Sequence, residues 1–148
     1  MSNDKSNPAW WNAKYSFLRV TNNSVYPWLT EENSWAEDIP VGWRNSFFED
    51  MCDELTDVLG EHVGDFEIVQ LKEKYGSMRL YWGWKDESLS REEANALSPK
   101  VDAVLNKYEH ISITVCACCG APATHMTEPW ILYMCDTCYK MHKYYFAI

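Results

Sequence analysis

Cysteine is the residue type whose number and spacing in this chain specify chemistry most directly. Six are present, and five of them fall between Cys116 and Cys138. Cys116-Ala-Cys118-Cys119-Gly120 and Cys135-Asp-Thr-Cys138 each place two thiols three positions apart. That spacing lets both sulfurs of a pair turn toward one cation while nearby backbone N–H groups donate to them, and Gly120 permits the tight reversal this needs. Four soft thiolates suit zinc, which accepts tetrahedral sulfur coordination at about 2.3 Å. The pattern is that of a zinc ribbon and predicts one structural Zn2+ on Cys116, Cys119, Cys135 and Cys138. With all four positions taken by sulfur, no site remains for water, so the ion's role is folding and not Lewis-acid catalysis. Cys118 is an alternative to Cys119 in the first pair, and His125 and His142 are substitute ligands or ordinary surface histidines. Cys52 lies in an apolar helical stripe and reads as a small core residue.

The remaining chemistry-bearing patterns are weaker. Residues 41–71 carry eight carboxylates against Arg44 alone, and Asp50, Asp53, Glu54, Asp57 and Glu61 share one side of a predicted helix. Such a stripe is either the solvated face of an amphipathic helix or a surface that binds a basic partner; the five acids are the candidate partner-binding residues. Residues 72–77, with Lys72, Lys74 and Gly76, offer an anion site or a charged hairpin turn, but lack P-loop spacing. There is no nucleophile elbow, H-E-x-x-H helix or local nucleophile and base, so an enzyme is not expected.

These groups need elements to position them. Phe47, Met51, Leu55 and Leu59 recur every fourth residue, widened by Phe48, Cys52 and Val58, and Gly60 stops the helix they define. Residues 66–71 and 78–84 are rich in β-branched and aromatic side chains and predict a hairpin, with Gly83 marking a bulge or a strand end. Ser90 with Glu93 is a capping box, and Ser98-Pro99 is a second start, so one kinked helix or two short ones span residues 90–110. The first forty residues hold Trp10, Trp11, Trp28 and Trp35 without a sustained period and predict short strands and ordered loops laid on the core. The fold class is α+β: a small antiparallel sheet packed with helices, plus a C-terminal zinc ribbon. Residues 1–110 form the core with its Trp-rich N-terminal segment. Residues 111–148 form the ribbon, docked on that core by burial of Trp130, Ile131 and Tyr133.

The chain's 148 residues suffice for one ordinary domain, and 47% are hydrophobic. No apolar run approaches the roughly 20 residues of a membrane span, and clustered cysteines imply a reducing compartment. A soluble, cytoplasmic protein is expected. A net charge of −9 disfavours nucleic acid, because phosphate affinity comes from Lys and Arg. The ribbon segment has only Lys140 and Lys143 against Glu128 and Asp136.

Three blocks resemble a family of small, largely uncharacterised proteins of bacteria, prophages and phages, over residues 42–138. Gly42-Trp43 opens the apolar helix. The run from Gln70-Leu71-Lys72-Glu73-Lys74-Tyr75-Gly76 to Met78-Arg79-Leu80-Tyr81 is similar to the family's QVKEKFGxLRFY block. Cys116 to Pro122, with Trp130 and Cys135-Asp136, resembles its terminal knuckles, although Cys118 is additional and Cys138 stands where many members have histidine. The resemblance implies a mobile-element setting and no established reaction. Together with small size, acidity and surplus aromatics it leads to a protein-binding module, an inhibitor of a bacterial defence or host enzyme, located in the bacterial cytoplasm. The alternatives are a zinc-ribbon nucleic-acid-binding regulator and an enzyme acting on a nucleotide or nucleic acid.

Overall fold

The computed structural model describes residues 5–86 and 88–146, with side chains through residue 141. Helix α1 (Pro8–Lys14) and a 3-10 turn (Ser16–Leu18) precede α2 (Val41–Ser46), α3 (Phe48–Leu59) and a second 3-10 segment (Gly60–Asp65). Strands β1 (Phe66–Lys74) and β2 (Ser77–Trp84) follow, then α4 (Arg91–Ser112), β3 (His125–Met126), β4 (Tyr133–Met134) and α5 (Asp136–Phe146). The fold is α+β, with two antiparallel two-stranded sheets and a C-terminal cysteine cluster compatible with a zinc ribbon.

The stripe on α3 packs as its period requires: Phe48, Met51, Cys52, Leu55 and Leu59 are buried, and Gly60 ends the helix at φ +54°. The predicted single helix is divided at Phe47, which separates α2 from α3 although its dihedrals (φ −110°, ψ −12°) stay in the right-handed helical region and its N–H donates to the Trp43 carbonyl at 3.1 Å. Phe47 is itself buried and stacks on Tyr108 of α4. Helix α4 runs as one helix through Pro99, the single-helix alternative of the two the sequence left open. Its capping box forms in full, with Ser90 accepting from the Glu93 N–H and Glu93 accepting from the Ser90 N–H.

The hairpin is longer and tighter than its composition suggests. Its turn is only Tyr75-Gly76, at φ +53° and +84°, the signs a two-residue primed turn requires. The irregularity in register lies between Ile68 and Gln70, while Gly83 pairs regularly with Glu67. The N-terminal segment departs furthest from expectation. In place of short strands it contains α1, which begins because the Asn7 side chain accepts from the Ala9 N–H at 2.9 Å and Pro8 takes the first helical position. Trp11 and Trp35 are buried and Trp10 packs against the core, but Trp28 is 74% exposed. Phe66 joins this segment to the hairpin through edge-on contact with Phe17 and close packing with Trp82.

Among the described residues no helix is long and apolar enough to cross a membrane.

Candidate metal centre

The first cysteine pair is held by backbone hydrogen bonds that close a knuckle. Gly120 N–H donates to the Cys116 carbonyl at 2.9 Å, and Cys116 N–H donates to the Ala121 carbonyl at 2.6 Å. Gly120 reaches this geometry at φ +89°, where a side chain would be strained. The second pair begins at the end of β4 and enters the first turn of α5, where Cys138 N–H donates to Cys135 Sγ at 3.4 Å. The two halves are tied by Ala117 N–H to the Tyr133 carbonyl at 2.8 Å and by the β3–β4 pairing.

As a result the Sγ atoms of Cys116, Cys119, Cys135 and Cys138 all lie within 4.8 Å of one another, and none is in a disulfide. Four sulfurs at about 2.3 Å from a central ion stand about 3.8 Å apart in a tetrahedron. Cys119 and Cys135 are separated by 3.7 Å. The donor set therefore fits a metal ion such as zinc, and the four residues predicted from spacing are the four brought together.

The local electrostatics favour a cation at this point. Burial pushes the Cys116 thiol up, but N–H groups of Cys135, Cys119 and Cys118 donate to its sulfur and bring it down to about 6. Cys138 is held far above the usual thiol range, first by the hydrogen bond it shares with Cys135 and then by burial. Cys119 is likewise raised, against the lowering hydrogen bond from the Ala121 backbone, by burial and by the hydrogen bonds it shares with Cys116 and Cys135. A metal ion held by these sulfurs would take the place of their protons.

The other candidates separate from the cluster. Cys118 is exposed, its thiol raised by local desolvation and by the neighbouring sulfurs, and it is not among the converging ligands. His125 stacks on Tyr139 at 4.2 Å and directs Nε2 to Asp136 at 2.9 Å, so it too stands outside the sulfur group. The side chain of His142 lies outside the described residues. Cys52 is wholly buried, and desolvation with the nearby Asp53 and Glu49 charges drives its thiol upward, as befits an inert core residue.

How the knuckle is seated is not visible in the cysteine spacing. Gly42 N–H donates to the Ala117 carbonyl at 2.8 Å, and a Cβ on Gly42 would stand 1.9 Å from the Cys116 carbonyl oxygen. A Cβ on Gly120 would likewise meet the Gly42 carbonyl at 2.8 Å. Two glycines thus let the knuckle backbone lie directly on the start of α2. A second contact joins the ribbon to the hairpin turn, where a Cβ on Gly76 would be 2.7 Å from the Tyr133 ring. Ile131 and Tyr133 are half-buried, but Trp130, expected to be buried with them, is 74% exposed. The reason is local: Thr127 N–H donates to the Leu132 carbonyl at 2.9 Å and the Thr127 hydroxyl bonds the Trp130 carbonyl, which closes the loop and leaves the indole outside it.

The acidic stripe is only partly free. Tyr15 donates to Asp53 at 2.6 Å, and Glu54 accepts from both Tyr108 and Lys107. Asp50, Asp57 and Glu61 are exposed. Glu61 belongs to a cluster the sequence did not signal, around His62: Nδ1 lies 3.0 Å from Asp65, and Nε2 lies 3.1 Å from Glu93 and 3.6 Å from Glu61. Glu93 already closes the α4 capping box, so His62 fastens the second 3-10 segment to the start of α4.

Comparison with protein-family models, with curated proteins and with solved structures gives no match for this chain.

Proposed function

We propose that Cys116, Cys119, Cys135 and Cys138 hold one structural zinc ion and that the protein acts by binding another protein on the surfaces the ion fastens. The observation that carries the metal assignment is the convergence of four sulfurs, with a 3.7 Å separation matching a tetrahedral edge. The ion supplies cross-linking of the two knuckles, and the closed sulfur set leaves it no catalytic position. Elemental analysis of the native protein is expected to give one zinc per chain, retained through dialysis against metal-free buffer. The Cys135→Ser variant is expected to lose the ion and the ribbon fold. Native protein without zinc, or a folded Cys135→Ser chain, refutes the assignment.

The binding role is supported by large aromatic side chains left in solvent, Trp28, Trp130 and Tyr75, since such groups anchor interfaces. The exposed acids Asp50 and Asp57 add a face suited to a basic partner. Within this proposal the chain is a phage or prophage type inhibitor of a bacterial defence or host enzyme, and no catalysis is assigned to it. Stoichiometric co-purification of a partner from a bacterial host tests the role, and failure to recover one counts against it. A nucleic-acid reader is the weaker reading, because Lys140 of the ribbon is paired with Asp136 at 3.0 Å. A gel shift at low salt separates the two.

A further inference from the structure

We propose that the groove between the hairpin turn and the ribbon loop binds a small planar aromatic anion of the nucleoside monophosphate class. The groove has a volume of about 320 Å³ and is lined by Lys72, Glu73, Lys74, Tyr75, Trp130 and Ile131, among others. That is the lower end of the range for small-molecule sites.

Two aromatic rings in this groove do nothing for the core. Tyr75 is 68% exposed and Trp130 is 74% exposed. Tyr75 also occupies a left-handed backbone position, φ +53°, where Asn or Gly is the unstrained choice and a bulky side chain is an outlier. Trp130 is presented by a closed loop: besides the bonds already described, Leu132 N–H donates to Thr127 Oγ1 at 2.8 Å, and Thr127 is buried. The ring is therefore carried on fixed backbone, and a ligand stacked on it need not order the loop. Aromatic platforms of this kind hold nucleobases by their faces.

The charge in the groove selects an anion. Lys72 and Lys74 lie two residues apart on one strand, and Lys74 Nζ is 5.8 Å from the Tyr75 ring. The one carboxylate in the lining, Glu73, turns Oε2 onto the Gly76 N–H at 2.8 Å and so stabilises the turn. Two ammonium groups beside two stacking faces match a phosphate joined to a flat heterocycle. A polymer is disfavoured, because the chain as a whole carries a net charge of −9.

The inference rests on the metal reading in one respect, that the ribbon must be seated for Trp130 to stand beside Tyr75. The test uses full-length protein whose zinc content is measured on the same sample, titrated with AMP, adenosine and inorganic phosphate by calorimetry and tryptophan fluorescence. AMP is expected to bind saturably, adenosine at least about tenfold more weakly, and phosphate weakest. Trp130→Ala, an exposed change that leaves the core intact, is expected to reduce AMP affinity about tenfold or more. Lys72→Gln with Lys74→Gln is expected to erase the preference for AMP over adenosine. No saturable AMP binding by the zinc-replete chain overturns the proposal and leaves the metal assignment standing. Equal binding by Trp130→Ala, or binding of a single-stranded oligonucleotide but not of AMP, overturns it as well. A zinc-free native sample refutes the metal assignment instead.

Discussion

The substitution Gly42→Ala adds one methyl group at the place where the ribbon meets the core. Its Cβ would lie 1.9 Å from the Cys116 carbonyl oxygen and 2.7 Å from the Ala117 carbonyl carbon, both backbone atoms that cannot rotate away. Ordinary contact is about 3.5 Å, so the knuckle must withdraw by roughly 1.5 Å. The Gly42 N–H to Ala117 carbonyl bond, now 2.8 Å, would not survive that movement. Losing the bond costs about 1 kcal/mol, and overpacking costs about 1–3 kcal/mol. The better helix propensity of alanine returns about 0.5–1 kcal/mol. A net loss of about 2 kcal/mol follows, roughly a tenfold to thirtyfold fall in metal affinity if ribbon seating and ligation are linked. Competition against a chromophoric chelator measures the affinity, and thermal unfolding measures the stability. Gly64→Ala is the control, since a Cβ there meets nothing within 4 Å. A Gly42→Ala protein with wild-type metal affinity and melting temperature would refute the claim that α2 seats the knuckle.

Other expectations follow from single contacts. The Asp65 carboxylate at Nδ1, aided by Glu93 and Glu61, raises the His62 pKa above its ordinary value. A raised folded pKa means that the stabilisation is fully present below the unfolded value near 6.5 and is lost as pH climbs through the folded pKa. NMR titration should place His62 above 6.5, and His62→Gln should flatten the pH dependence of stability in that window; a titration at or below 6.5 rejects this. Ser112 is buried, accepts from the Met78 N–H at 2.9 Å and donates to the Glu109 carbonyl. Ser112→Ala leaves the Met78 N–H unsatisfied and should cost about 1–3 kcal/mol in denaturant unfolding. Thr114→Ala, whose hydroxyl is exposed, should cost clearly less, and equal losses would show that burial of Met78 N–H is not the cause.

Much of this protein is determined by signals that act within a turn or two of chain. The two-residue gaps in Cys116-x-x-Cys119 and Cys135-x-x-Cys138 can be satisfied inside one knuckle, so the four converging cysteines are legible without a fold. The four-residue period from Phe47 to Leu59 and the Ser90/Glu93 box are local in the same sense, and they yield α3 and α4. The signals failed where distant packing decides between local choices. The division at Phe47, whose ring stacks on Tyr108 of α4, is recorded in no period. Asn7-Pro8 is a local helix start, but the tryptophans that follow it without a period mask α1.

Tertiary structure alone decided which surfaces the ribbon touches and which it leaves open. Gly42 looks like any glycine near a helix start until the Cys116 carbonyl is found against it. His62 and Glu93 belong to different elements, and their meeting depends on how α4 packs along α3. Asp53 and Glu54 read as a free acidic face, yet Tyr15, Lys107 and Tyr108 reach them from other elements. Trp130 reads as core by its type, yet the loop closed by Thr127 turns it to solvent. A sequence encodes the cost of exposing an indole, but whether a neighbour arrives to bury it is settled only when the elements pack.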